Sequence, residues 1–235
     1  MTACLWPAAA VGAVLALDET ALAQTWLSQP LPAGWLAGLA AGDPVTGLVL
    51  GAAVQLLVMG DLPIGETTLR EHVGPLVGTV FAATALGWRL DLPWRDPAGA
   101  GHLGWLLAGV AAASLAGRVV VKAERDGHAR WQAAALQALR AGRDVPVGWY
   151  HLGGLALTAL RGGVMAVGWC LVMTAGWLPL WERAGALPRQ AAGLLVWWAP
   201  AVGAGALLDL YGTRQGRPYL ALGAALALLV WGLAR

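Results

Sequence analysis

A chain of 235 residues with 58% hydrophobic and only 12% charged residues, at a mean hydropathy of +0.63, carries half the charge of an average soluble domain. That excludes an ordinary water-soluble globule and makes lipid the expected solvent. A net charge of +2, with no dense basic run, excludes a surface that tracks nucleic-acid phosphates.

A membrane-crossing helix needs about 20 mostly apolar residues. Candidate spans in chain order are 3–17, 31–60, 73–90, 101–121, 151–178, 191–210 and 217–234. The first begins MTACLW without a basic leader region, so it is expected to stay in the mature protein. It ends on Asp18-Glu19. The second is interrupted by Gly42-Asp43-Pro44 and reads as two shorter helices meeting at a turn, because Pro cannot continue a helix and Gly permits the bend. A second break follows in Gly60-Asp61-Leu62-Pro63-Ile64-Gly65, ahead of a polar patch from Glu66 to His72. Non-helical backbone at membrane depth survives only against protein or a watery cavity, which is where transporters bind substrate. Ordinary loops between short spans are the alternative. Residues 118–149 hold six of the fifteen basic residues and read as a cytoplasmic loop, with WQAAALQALR as an amphipathic interfacial helix.

An ionisable side chain inside an apolar segment marks a candidate site. Arg161 lies within the run 151–178 and calls for a carboxylate; Asp18, Glu19, Asp43, Asp61, Glu66 and Asp209 are available. A buried ion pair that only fixes helix packing would account for it equally. Gln55, near the end of its helix, offers donor and acceptor together, which suits a neutral polyol. Asp61 can accept two hydrogen bonds from adjacent hydroxyls. His151 stands beside Trp149 and Tyr150, a palette for sugar as well as for a membrane-interface belt. Cys4 and Cys170 have no metal-ligand spacing and read as small core residues. The phosphate-loop, nucleophile-elbow and zinc-helix motifs are all absent.

The block 38–65, with Gly42-Asp43-Pro44-Val45-Thr46-Gly47, then Gly51 to Gly60 around Gln55, then Pro63-Ile64-Gly65, resembles the membrane IIC subunit of the mannose/fructose/sorbose class of the sugar phosphotransferase system. Asp18-Glu19, the basic segment after residue 118 and the Trp149/His151 pair agree in order. The resemblance implies an all-α polytopic membrane protein with broken or re-entrant helices, a single membrane domain over 1–235 in the bacterial inner membrane. It implies a subunit that translocates a hexose without a cofactor. It works with a second membrane subunit, IID, as a trimer of IIC–IID units moving by an elevator. A soluble IIAB protein performs the phosphoryl transfer, fed from phosphoenolpyruvate. Gln55, Asp61, Glu66 and His151 are expected near the sugar, with Asp18, Asp43 and Arg161 orienting or packing. Departures at Gln55, where several members carry Glu, and over 66–72 leave two alternatives. One is a scaffold or regulator that no longer transports. The other is an unrelated small-solute transporter.

Overall fold

The computed structural model describes residues 2–21, 25–59, 71–90 and 97–211, with residues 217, 218, 221 and 225 beyond them. Among these there are helices and no strands: α1 (Thr2–Thr20), α2 (Pro30–Ala41), α3 (Pro44–Val58), α4 (Val73–Ala85), α5 (Pro97–Arg140), α6 (Val147–Val172), α7 (Leu178–Arg183) and α8 (Ala186–Tyr211). A π-helical turn, Met173–Trp177, joins α6 to α7. Most of the last predicted span, 217–234, and the turn at 60–66, with Asp61 and Glu66, lie outside the described residues.

α4 is the centre of the bundle. Its residues from Val73 to Ala83 are all buried, and α1, α2, α3, α5 and α6 pack around it. A helix apolar on every side has no solvated face to present.

The Gly42-Asp43-Pro44 break forms as the sequence predicts. Gly42 takes the left-handed conformation at φ +88° and closes α2. The Asp43 carboxylate caps α3, accepting from the Thr46 N–H at 3.1 Å and the Thr46 hydroxyl at 2.8 Å. The Thr46 hydroxyl in turn accepts from the Leu90 N–H at 2.9 Å, tying the exit of α4 to the start of α3. α2 and α3 then run back along each other in backbone contact. Gly34 and Gly38 on one helix face Gly47 and Gly51 on the other, and a Cβ at any of them would collide with opposing main chain. Two small-xxx-small ridges thus interlock, the arrangement that holds helices together where lipid removes the hydrophobic drive. Twelve and fifteen residues are each too few to cross a bilayer, so this pair is a half-depth hairpin. α1 and α6 use the same device at Gly12 and Gly162.

Among the described residues three stretches are long and apolar enough to cross a membrane: Gly99–Arg140, Val147–Arg183 and Ala186–Asp209. The first corrects the sequence reading of 118–149. Up to Arg140 that segment is not a loop with a separate interfacial helix but the second half of α5, a helix of 44 residues, about 66 Å long. The charge that ends the apolar run does not end the helix, because Ala, Leu, Gln, Lys, Arg and Glu all favour it. The chain turns only at residues 141–146, where Gly142 has φ +69°, and Pro146 precedes α6.

The two ends of the bundle differ. At one, Trp105 and Trp177 stack at 4.8 Å and exchange indole N–H bonds to each other's carbonyls at 3.0 Å. His102 sits between Trp88 and Trp181, at 4.5 and 5.3 Å. Such a cluster suits the headgroup level. Toward the other end, exposed charge begins at Arg118, and Lys122 pairs with Asp126 in the open at 3.2 Å. Exposed charge from Arg118 onward marks the end of the apolar face, about 20 Å along the helix from Trp105. Beyond it, α5 and α6 continue as a projecting hairpin of about 27 Å from Lys122 to Arg140.

Candidate functional site

Arg161 lies where the membrane body meets that hairpin. It immediately precedes Gly162 in α6, whose missing side chain lets α1 close in, and its guanidinium reaches three carboxylates from three parts of the chain. Nη2 stands 3.2 Å from Glu19 at the end of α1, Nε 2.7 Å from Glu124 on α5, and Nη1 touches Glu71 at the entry to α4. The side chains are almost fully enclosed: 4% exposed for Arg161, 1% for Glu71, 9% for Glu124 and 21% for Glu19. Each better-buried acid has a second donor. Glu71 Oε1 accepts from the Gly74 N–H at 2.9 Å, inside the first turn of α4, where the helix dipole favours an anion. Glu124 Oε1 accepts from the Thr158 hydroxyl at 2.5 Å.

Arg161 therefore has the carboxylate partners its apolar setting demands, three of them rather than one. Glu71 and Glu124 were missed. Glu71 closes the polar patch after the second break, and Glu124 is hidden among the basic residues of the apparent loop. The available signal was helical: the formers around Glu124 continue α5 and carry it back toward α6. No group of three or more His, Cys, Asp or Glu suited to a metal occurs among the described residues; the arginine, not an ion, gathers these acids.

Asp18 and Gln55 work together on a different task. Asp18 accepts from the Thr25 N–H at 2.7 Å, the Thr25 hydroxyl at 2.6 Å and the Ser28 N–H at 2.9 Å. Between them Trp26 sits at φ +70°, a strained conformation for a bulky residue. Gln55 accepts from the Leu31 N–H at 3.4 Å and donates to Gln29 at 3.3 Å. The two side chains thus hold one connection, 25–31, from opposite sides. Asp43 is the α3 cap. Of the residues expected near a sugar, Gln55 is on α3 and His151 on the first turn of α6, and the structure does not bring them together. Asp61 and Glu66 lie outside the described residues, and Glu71 is the first described residue after them.

His151 instead lines a cavity of about 660 Å³ between the projecting halves of α5 and α6. Its floor is Thr158, the residue that bonds Glu124. The cavity therefore ends against the arginine cluster.

A family model described as the PTS system sorbose-specific IIC component matches residues 5–231. The chain belongs to this family. Among solved structures, the complex of the mannose transporter ManYZ with microcin E492 contains a similar chain: TM-score 0.54 at 20% identity, over 100% of this chain and 92% of that one. At that identity the likeness is one of fold. No curated protein sequence matches. The chain is thus a sugar-translocating IIC component of the mannose class of the phosphotransferase system. In such a subunit a hydrophilic substrate must pass a glycine-packed apolar body. The Arg161 cluster is the polar, enclosed centre at the end of that body.

Proposed function

We propose that this IIC chain carries a hexose past the Arg161 cluster, in complex with a IID-type membrane subunit, to a soluble IIAB-type protein that phosphorylates it. The observation that carries the reading is the convergence of Glu19, Glu71 and Glu124 on Arg161 at the boundary between membrane body and hairpin. Buried intramembrane charges are costly and mark substrate paths. This one joins α6 to α1, α5 and the entry to α4. Asp61 and Glu66 supply acceptors for sugar hydroxyls, His151 meets the sugar on the hairpin side, and Gln55 and Asp18 act by fixing the 25–31 connection. Phosphoryl transfer belongs to the soluble partner, and assembly is a trimer of IIC–IID units in a bacterial inner membrane. The hairpin tip, with Arg140 and Arg143, faces the cytoplasm, as basic termini do.

The test is uptake in cells lacking their own mannose-class permease, with this chain co-expressed with IID and IIAB partners. Radiolabelled mannose, fructose, sorbose or N-acetylgalactosamine should accumulate as sugar phosphate only when this chain is present. Asp61→Ala should lower that uptake at least tenfold while the assembled complex is recovered in normal yield, since losing hydrogen bonds to substrate from a charged group costs about 1.5–3 kcal/mol. An assembled complex that moves none of these sugars sinks the reading. A cysteine at Ala134 should react only with reagents that enter the cytoplasm.

A further inference from the structure

The cavity in the projecting hairpin has a specific construction. The benzo end of the Trp131 indole, on α5, comes up against α6 where residue 153 is glycine; a Cβ there would run into the ring carbons. Tyr150 meets that ring edge-on, centroids 6.2 Å apart. The indole remains 42% exposed and forms a wall of the cavity. Around it stand His128, whose Nε2 is 3.3 Å from the Gly154 carbonyl, with Gln132, His151 and Thr158. The indole and the aliphatic side chains of Leu136, Leu139, Val145, Val147 and Leu155 make most of the wall, and the four polar side chains set donors and acceptors among them.

Resting on the transport reading above, we propose that this cavity is a hexose vestibule: a second sugar site, outside the membrane body, with Trp131 as its stacking platform. The chemistry selects that ligand class. Among the described residues no carboxylate, lysine or arginine lines the cavity, so a ligand of fixed charge finds no fixed counter-charge there. A lipid chain is disfavoured because Arg118, Lys122 and Asp126 are exposed on α5 between the apolar body and the cavity, so an acyl chain would have to pass charged side chains to enter. A monosaccharide has an apolar C–H face for the indole and hydroxyls for the imidazoles, amide and Thr158 hydroxyl. The volume, about 660 Å³, falls in the range of small-molecule sites and leaves room for water with the sugar. The Thr158 floor places such a sugar next to the Arg161 cluster, so the vestibule adjoins the proposed path and opens toward the side where phosphorylation is proposed.

The experiment uses the complex with its IID-type partner in lipid nanodiscs, labelled with 5-fluorotryptophan. Trp131→Phe removes one fluorine resonance and so assigns it. D-mannose, D-fructose and L-sorbose are then titrated, with equilibrium dialysis of the radiolabelled sugar on the same sample. Trp131 should shift saturably with at least one hexose. Gly153→Ala, which lifts the indole, should weaken that titration about tenfold, the value of one aromatic contact. Uptake should keep its maximal rate while its half-saturating concentration rises. Hexose binding by dialysis with a silent Trp131 resonance overturns the vestibule and leaves the transport reading standing. A Trp131 shift that follows lipid composition and ignores sugar also overturns it. Absence of any hexose binding to the assembled complex removes both.

Discussion

Between α2 and α3 the backbones touch through Gly34, Gly38, Gly47 and Gly51, whereas the projecting halves of α5 and α6 enclose a cavity of about 660 Å³ and meet through isolated side chains. Both pairs are helical hairpins that turn at a left-handed glycine, Gly42 and Gly142. In the first, cohesion is spread along two interlocked ridges, and no single side chain is in charge. In the second, the strongest tie is concentrated at the base, where Arg161 on α6 holds Glu124 on α5 and, with the same guanidinium, Glu19 and Glu71. A distributed contact makes a rigid element; a concentrated one leaves room above it for a ligand and makes the whole arm answer to one residue.

The largest effect should follow from Arg161. Replacing it with Leu strands three enclosed carboxylates, and removing one partner of a buried ion network costs about 3–5 kcal/mol. The folded yield and thermal midpoint in detergent should collapse. Removing one of the three stranded charges with Glu124→Gln in the same chain should recover part of the midpoint. If Arg161→Leu melts like the parent, the hairpin is held by something other than its charged base. Next comes the short hairpin: Gly47→Leu forces a side chain into the Gly34 carbonyl, for a loss on the order of 3 kcal/mol from overpacking against backbone. The same change at Gly148 on the long hairpin, where nothing lies within 4 Å of a new Cβ, should leave the midpoint within a degree or two. Equal losses at the two positions would erase the contrast.

A milder perturbation separates turn from ridge. Asp43→Ala removes the α3 cap and should cost about 1 kcal/mol, seen as faster amide exchange in the first turn of α3. The Thr46–Leu90 bond, which the cap also orients, should weaken with it. Exchange spreading along the whole of α2 and α3 would mean that the cap, not the glycine ridge, holds the pair.

The short hairpin was legible and the long one was not, for physical reasons. Gly42-Asp43-Pro44 combines a left-handed position, a capping carboxylate and a residue without an N–H, all local facts. Gly34 facing Gly47 follows once the turn is known. The continuation of α5 past Arg118 was obscured because hydropathy reports the solvent, not the backbone: the run leaves lipid but keeps its helix formers. The partners of Arg161 were only half visible. The need for a carboxylate is read from one apolar run, but which acids answer depends on how α1, α4 and α5 converge, and Glu71 and Glu124 stand 90 and 37 positions away in the chain. Gln55 and His151 were both expected near the sugar; the fold uses Gln55 on the 25–31 connection and puts His151 on the arm.

The smallest effect bears on whether that arm is straight. Gly127 sits in the middle of α5 just above the charged base, and a Cβ there would stand 3.3 Å from a Leu157 methyl, the free end of a flexible side chain. Leu157 can yield by a rotamer change, so Gly127→Ala should gain most of the helix-propensity difference, about 0.5–1 kcal/mol. The gain should appear as slower amide exchange over 122–140, with the thermal midpoint little changed, since the body melts independently of the arm's propensity. A loss of protection over the same residues would mean that α5 bends at Gly127 during transport and that the glycine is there as a hinge. The cavity above the arginine would then open and close with the arm, and the rigid half of the comparison would belong to α2 and α3 alone.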